Sequence, residues 1–431
     1  MGEKTFSLPH SLDSIFPGKL HRNHSADFQE NCCMKKQIGL VGYGKMGKEI
    51  FNLLAKRGCP TTVFVRGEDK AAQAKKRIDR SLERSRRKGI MTEEQFRKQR
   101  ASLQFTNRLE DLASSQLVIE SIVENWQQKM IILQQIEAIV SPSTVLVTNT
   151  SSFSIARLAE QLTRENRFCG LHLFYPVPLI DVVEIIRWSG TSMRVITLLS
   201  EFCTYLGKTP LIVKDAPGSV LNGILADYYI EALYILEQGV ALPSKIDQVA
   251  RQFFYVGPCE SLDIIGMDFF IEALQHSRYE ARRPERQIPD LAYKLVTQKR
   301  RGKKDSQGIF LYHSGKMVDD DLAFYRNPAQ THSRQATGDN DSWLAKRLLY
   351  AIFYGAIYSL TMGFASLETL DVGVKALLDM KQGPFSILKA IGVEKFHQES
   401  DQLTRQVGNR FGQTDVVHFL SSMFSDEAQP S

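Results

Sequence analysis

Residues 35–50, KKQIGLVGYGKMGKEI, decide how the rest of the chain is read. Ile38, Leu40 and Val41 supply the short apolar run of a buried strand, and Gly42, Gly44 and Gly47 follow as G-x-G-x-x-G before helix-forming residues take over. Each glycine has its own physical task. The first permits a tight turn, the second removes a side chain where backbone must approach a pyrophosphate, and the third lets helix and strand pack closely. The helix N-terminus then offers its N–H groups to the anion. Glycine-rich turns are common, so the motif counts only because a strand precedes it and a helix follows. The stretch is read as a dinucleotide site.

Outward from that turn, β-branched or apolar runs alternate with helical stretches. A first helix covers residues 47–57, the strand TTVFV covers 61–65, and helices follow over 68–87 and 92–102. Strands over 118–122 and 144–148 flank a helix over 125–139, with further strands over 168–173, 182–186 and 210–213 and helices near 155–162 and 192–206. This alternation predicts an α/β fold, a Rossmann-type doubly wound parallel sheet with the cofactor over the carboxyl ends of the strands. At Asp215-Ala216-Pro217-Gly218 the alternation stops and helical periodicity takes over. The all-α remainder repeats itself: Gly239-Val240-Ala241 and Ile246-Asp247 recur as Gly363-Phe364-Ala365 and Leu370-Asp371, and Gly257-Pro258 and Ile265-Gly266 recur as Gly383-Pro384 and Ile391-Gly392. Two copies of one helical module are expected. The resulting division is a dinucleotide-binding domain over 35–214, a first helical module over 215–313, a polar linker over 314–341 and a second module over 342–425. Residues 1–34 lack sustained periodicity and end at Met34-Lys35-Lys36, which looks like an ordinary start, so they are read as a disordered extension.

Composition narrows the function classes. The 431 residues are 43% hydrophobic and 24% charged, an ordinary globular balance. No apolar run approaches the roughly 20 residues that span a bilayer, and a secretory signal pattern is missing, which points to a cytoplasmic protein without a membrane partner. Cys32, Cys33, Cys59, Cys169, Cys203 and Cys259 show neither metal-ligand spacing nor a dense disulfide framework, so they are read as free thiols and no metal is expected. The net charge of +6 concentrates in KKRIDRSLERSRRK (75–88) and KRRGKK (299–304). Neither run interleaves aromatic residues, which argues against a nucleic-acid surface. A solvated helix face and a polyphosphate contact remain open.

Four further stretches carry chemistry: Asn149-Thr150-Ser151-Ser152, Leu171-His172-Leu173-Phe174-Tyr175-Pro176, Asp181-Val182-Val183-Glu184, and Lys214-Asp215-Ala216-Pro217-Gly218 leading into Asn222. Together they strongly resemble the 3-hydroxyacyl-CoA dehydrogenase family over residues 36 to about 313, and the second module resembles the duplicated C-terminal domain of its longer members. The resemblance implies hydride transfer between C3 of a 3-hydroxyacyl thioester and a nicotinamide ring, with His172 as general acid/base and Glu184 orienting and charge-balancing its ring. A histidine, with an ordinary pKa of about 6.5, suits that role. Ser151 and Asn222 match the residues that hydrogen-bond the substrate oxygen. Glu124, Lys129 and Lys304 match cofactor contacts. Ser81 and Lys88 match coenzyme A contacts, and their spacing of seven sets them on one helical face.

The chain departs from the family in three places. Arg66 stands at the end of the second strand, where a carboxylate ordinarily holds the ribose 2'-hydroxyl; an arginine there accommodates a 2'-phosphate, so NADP(H) is favoured over NAD(H), with Lys45 as additional positive charge. The competing arrangement has Glu68 or Asp69 take the carboxylate's role and retains NAD(H). Tyr175 replaces an asparagine on the cofactor side, and Gly223 follows Asn222 in place of arginine. An NADPH-dependent reducer of a 3-oxoacyl thioester in a specialised biosynthetic pathway fits Arg66 better than ordinary fatty-acid β-oxidation does. Coenzyme A and a carrier protein both fit as thioester bearer. A dehydrogenase of a free 3-hydroxy acid and a catalytically idle binding module are the alternatives, the latter opposed by retention of Ser151, His172, Glu184 and Asn222. Helical modules of the family pair as homodimers, and a second module that mimics this contact within one chain leaves monomer and homodimer both open.

Overall fold

The computed structural model describes residues 37–216, 218–277, 279–325, 340–412 and 419–420. The expected extension over 1–34, with Cys32 and Cys33, lies outside the described residues, as does 326–339 of the expected linker. The chain divides into two compact units, one ending at Ser219 and the other beginning at Val220.

The first unit runs β1 (Ile38–Val41), α1 (Lys45–Lys56), β2 (Thr61–Phe64), α2 (Glu68–Arg87), α3 (Glu93–Ser102), β3 (Leu103–Thr106), β4 (Leu117–Glu120), α4 (Trp126–Ile139), β5 (Val145–Thr148), α5 (Ile155–Ala159), β6 (Phe168–Leu173), β7 (Val182–Arg187), α6 (Met193–Tyr205) and β8 (Thr209–Lys214). The eight strands form one sheet in the order β3-β2-β1-β4-β5-β6-β7-β8. Strands β1, β4 and β5 are buried at all four positions, as expected where helices cover both faces. Ile50, Phe51 and Leu54 of α1 and Ile196, Leu199 and Phe202 of α6 belong to the same core as Leu40, Val147, Leu171 and Ile185 of the strands.

The doubly wound class holds, with one change of direction. The sheet is parallel from β3 to β6, but β7 pairs antiparallel with β6, and β8 runs parallel to β7. The cause is the connection: only residues 174–181 join β6 to β7, and a parallel return needs a crossover of about a dozen residues or more. Strand β3 is an addition to the expected set. It leaves α3 without an intervening glycine or proline, Leu103 being both the helix C-cap and the first strand residue, so no punctuation marks it. The break between units falls just beyond Asp215 because that carboxylate is tied to the sheet unit: Ser154 Oγ donates to it at 2.7 Å, and the Ile155 and Ala156 amides at 2.9 and 2.8 Å, capping α5.

The second unit contains α7 (Val220–Glu237), α8 (Pro243–Ala250), α9 (Pro258–Ile265), α10 (Met267–His276), α11 (Tyr279–Arg282), α12 (Asp290–Thr297), β9 (Phe310–His313), β10 (Lys316–Asp320), α13 (Leu322–Tyr325), α14 (Asn340–Thr361), α15 (Leu367–Leu378), α16 (Pro384–Ile391) and α17 (Val393–Val407). It is helical except for the antiparallel β9–β10 hairpin, whose second strand and the short α13 occupy the opening of the stretch expected as linker. The repeat is visible in atomic detail. Asp247 of α8 accepts from the Cys259 and Glu260 amides at 2.8 and 2.9 Å, and Asp371 of α15 accepts from the Phe385 and Ser386 amides at 2.6 and 3.1 Å. Each aspartate caps a helix with proline in its first turn. A Cβ on Gly257 would lie 2.1 Å from Asp247 Cγ, and one on Gly383 would lie 2.3 Å from Asp371 Cγ, so both caps require glycine. The long helices of the two modules, α7 and α14, pack on each other. Between them Glu231, fully buried, meets Arg347 Nη2 at 2.5 Å and Arg410 Nε at 3.1 Å.

Candidate active site

At the turn after β1, Gly42 has φ +105°, and a Cβ there would lie 2.3 Å from the Ser121 carbonyl oxygen. A Cβ on Gly47 would lie 2.2 Å from the Gly42 carbonyl oxygen, whereas one on Gly44 would meet nothing within 4 Å. The first and third glycines are therefore demanded by the protein's own packing, and the second faces open space. Gly44 caps α1 without a side-chain hydrogen bond, and the first turn carries no acidic residue. A helix N-terminus left in this way fits an anionic diphosphate. Arg66 is exposed just beyond β2, followed by Gly67 with φ +94° and by Glu68 and Asp69 in the first turn of α2.

Across the sheet, the reversal between β6 and β7 sets His172 directly opposite Glu184. His172 Nδ1 lies 2.9 Å from Glu184 Oε2; the ring is 5% exposed and the carboxylate 0%. With the carboxylate ionised and the ring neutral, this contact places the proton on Nδ1 and leaves the lone pair on Nε2. Phe174 packs against the imidazole edge at a 4.5 Å centroid distance. Asn149 Oδ1 accepts from the Leu173 amide at 2.9 Å, tying the end of β6 to the loop that follows β5.

That loop is held from below. Glu124 Oε1 accepts from the Thr150 hydroxyl, from Ser152 Oγ at 2.7 Å, and from the Ser151 and Ser152 amides at 3.2 Å each. Its other oxygen is 3.2 Å from Lys129 Nζ. Burial pushes the Glu124 carboxyl up, but Lys129 and the hydroxyl donors outweigh it and hold it below the usual range. Lys129, on α4 and 1% exposed, also donates to both oxygens of Glu120 at 2.9 and 3.1 Å; burial depresses its ammonium, and the two carboxylates more than reverse that. Glu124 and Lys129, two of the residues expected at the cofactor, thus take part in an internal network that fixes the Ser151 turn. Sequence reading did not separate these tasks, because a lysine three residues into a helix gives no sign of facing inward.

Ser81 and Lys88 lie on α2 and at its C-cap, both exposed. Glu83 engages Arg86 at 2.6 Å and Arg87 at 2.9 Å, so two of the neighbouring arginines are shared with a carboxylate. Asn222 on α7 and Lys304, paired with Asp268 at 2.6 Å, belong to the helical unit. Residues missed in the sequence include Asp215 as a cap and Lys208, whose Nζ donates to the Val177 and Ile180 carbonyls at 2.6 Å and fixes the loop between β6 and β7. Lys208 carries no motif and could not have been found from spacing. Among the described residues, no helix is long and apolar enough to cross a membrane.

A glycine turn after β1 and a carboxylate-backed histidine on β6, three strands along the sheet, are parts with which nicotinamide-dependent oxidoreductases pair hydride and proton transfer. The chain belongs to the 3-hydroxyacyl-CoA dehydrogenase family. Residues 37–216 match the family's NAD binding domain and 218–312 its C-terminal domain. The chain is 34% identical over 288 residues to the mitochondrial hydroxyacyl-coenzyme A dehydrogenase of Rattus norvegicus, covering 64% of this chain and 91% of that protein. It is 29% identical over 385 residues to the fatty acid oxidation complex subunit alpha of Vibrio cholerae, covering 88% of this chain and 54% of that subunit. Among solved structures, (S)-3-hydroxybutyryl-CoA dehydrogenase from Ralstonia eutropha superposes with a TM-score of 0.60 at 31% identity, over 65% of this chain and 99% of that one. The 3-hydroxybutyryl-CoA dehydrogenase of Escherichia coli gives a TM-score of 0.77 at 22% identity over 91% of this chain, a likeness of fold that takes in the second module.

Proposed function

We propose that the protein interconverts a 3-hydroxyacyl thioester and its 3-oxoacyl form, with His172 as general acid/base. The observation that carries this reading is the buried 2.9 Å contact between His172 Nδ1 and Glu184. In oxidation, Nε2 takes the proton of the C3 hydroxyl while Glu184 balances the imidazolium; in reduction, the same nitrogen returns it. Ser151 and Asn222 hydrogen-bond the substrate oxygen and stabilise its developing charge. A bound nicotinamide supplies the hydride acceptor or donor. Gly42, Gly44 and Gly47 cradle its diphosphate, with Glu124 behind the Ser151 turn, Lys304 as a further contact and Tyr175 on the cofactor side of the crevice. On the acyl side, Ser81 and Lys88 receive the coenzyme A or carrier phosphates.

Arg66 supports the finer reading that NADP(H) is preferred, since a guanidinium there favours a 2'-phosphate. Glu68 and Asp69 support NAD(H) by the same geometry, and relatives named for this activity belong to a family whose model is an NAD binding domain. The ratio of kcat/KM for the two cofactors decides between them, and a strong NADH preference overturns the role given to Arg66. The test of the whole reading is a matrix of initial rates: NADH or NADPH against acetoacetyl-CoA, its carrier-bound form and free acetoacetate. Cofactor oxidation with a thioester that disappears in His172→Ala is expected. Turnover of the free acid alone, unaffected by Lys88→Glu, overturns the thioester assignment.

A further inference from the structure

Lys45 and Tyr175 come from opposite ends of the dinucleotide crevice and touch. Lys45 is the first residue of α1, directly after the glycine turn that leaves β1, and Tyr175 follows the end of β6. In the sheet, β4 and β5 lie between those two strands. At about 4.8 Å per strand, the strand ends are roughly 14 Å apart. Yet Lys45 Nζ sits 3.7 Å from the centroid of the Tyr175 ring. The two side chains therefore reach over the carboxyl ends of β4 and β5, the place where a doubly wound fold receives its ligand.

Both supports of this contact are fixed. Tyr175 stands on the loop that Lys208 pins through the Val177 and Ile180 carbonyls, and the Leu179 and Ile180 amides donate to the Pro176 carbonyl at 3.0 and 3.2 Å. Lys45 is held by the glycine turn, whose close approaches leave little freedom. The contact itself is accessible, with Tyr175 46% exposed.

We propose that Lys45 and Tyr175 form a clasp across the dinucleotide crevice that sets the rates of cofactor entry and release, while the lysine adds positive charge beside the diphosphate. The inference rests on the dinucleotide-binding reading of the glycine turn. Both partners of the clasp are protein groups, so its energy is present before and after binding and cancels in the affinity. It opposes entry and exit alike. An ordinary ligand contact behaves differently, because its loss accelerates release only.

Stopped-flow NADH and NADPH fluorescence on the full chain tests this. Tyr175→Leu is expected to raise the association and dissociation rates together by about two- to fivefold, the range that exposed cation–π contacts support, with Kd unchanged. Tyr175→Phe keeps the ring and therefore the wild-type exchange rates. Lys45→Met accelerates exchange and also weakens Kd, and adding Tyr175→Leu to it produces no further change. Wild-type rates in Tyr175→Leu, or a weaker Kd arising from release alone, overturn the clasp. Failure of the wild type to bind either cofactor overturns the dinucleotide reading and the clasp with it.

Discussion

His172 and Glu184 meet through one contact across neighbouring strands, whereas Glu231 in the helical unit is closed in by Arg347 and Arg410. Both clusters are buried, and both set a carboxylate against a nitrogen group. In the sheet unit Glu184 engages Nδ1, and Nε2 is the nitrogen to which the proposed proton transfer falls. In the helical unit burial pushes the Glu231 carboxyl up, and Arg347, Arg410 and Arg286 outweigh it and hold it below the usual range, so the charge is consumed by packing. Burial of a charge pair therefore does not mark a functional site by itself. What distinguishes the two is the group that faces the buried carboxylate: guanidiniums, which stay charged, in the helical unit, and an imidazole, which can take up and give back a proton, in the sheet unit.

That comparison can be broken at either end. His172→Ala is expected to lower kcat for acetoacetyl-CoA reduction by about 10²- to 10⁴-fold, with little change in Tm. A large loss of stability with modest loss of turnover would make the dyad structural. Glu231→Ala leaves buried guanidiniums without their carboxylate and should cost about 3–5 kcal/mol in denaturant unfolding, with turnover per folded molecule retained. Smaller still is Asp371→Ala, which removes the cap of α16 and should cost about 0.5–2 kcal/mol by the same measurement. A further effect is on pH dependence. Burial pushes the Asp247 and Asp263 carboxyls up to about 6, the amide hydrogen bonds opposing it. The folded state then binds more protons than the unfolded state between the ordinary aspartate value and about 6, so these groups make stability fall as pH rises through that window and leave it flat above. Asp247→Asn should flatten the slope, as read from Tm at pH 4, 5 and 6.

Much of the fold was legible because strand, glycine turn and helix succeed one another with clear punctuation. All seven expected strands are present, and the module repeat extends to the paired Asp247–Gly257 and Asp371–Gly383 caps. Strand direction was the weaker inference, since an apolar run reads the same either way; only the short 174–181 connection carries the information. β3 was lost because no breaker separates it from α3. At the site, composition offers a histidine beside a strand and no more, and resemblance to the family supplied the roles of His172 and Glu184. The partnership of Glu124 and Lys129 and the meeting of Lys45 with Tyr175 depend on which way side chains turn, which no local pattern records.

The ion cluster between α7 and α14 also has a consequence in time. Arg347 lies 116 residues beyond Glu231. At a synthesis rate of about 5–20 residues per second, it leaves the ribosome roughly 6–23 s later. By then every strand of the sheet, ending at Lys214, has been made. Over that interval the Glu231 carboxylate is without the Arg347 guanidinium, whereas Asp227 has its Arg283 partner only 56 residues further along the chain.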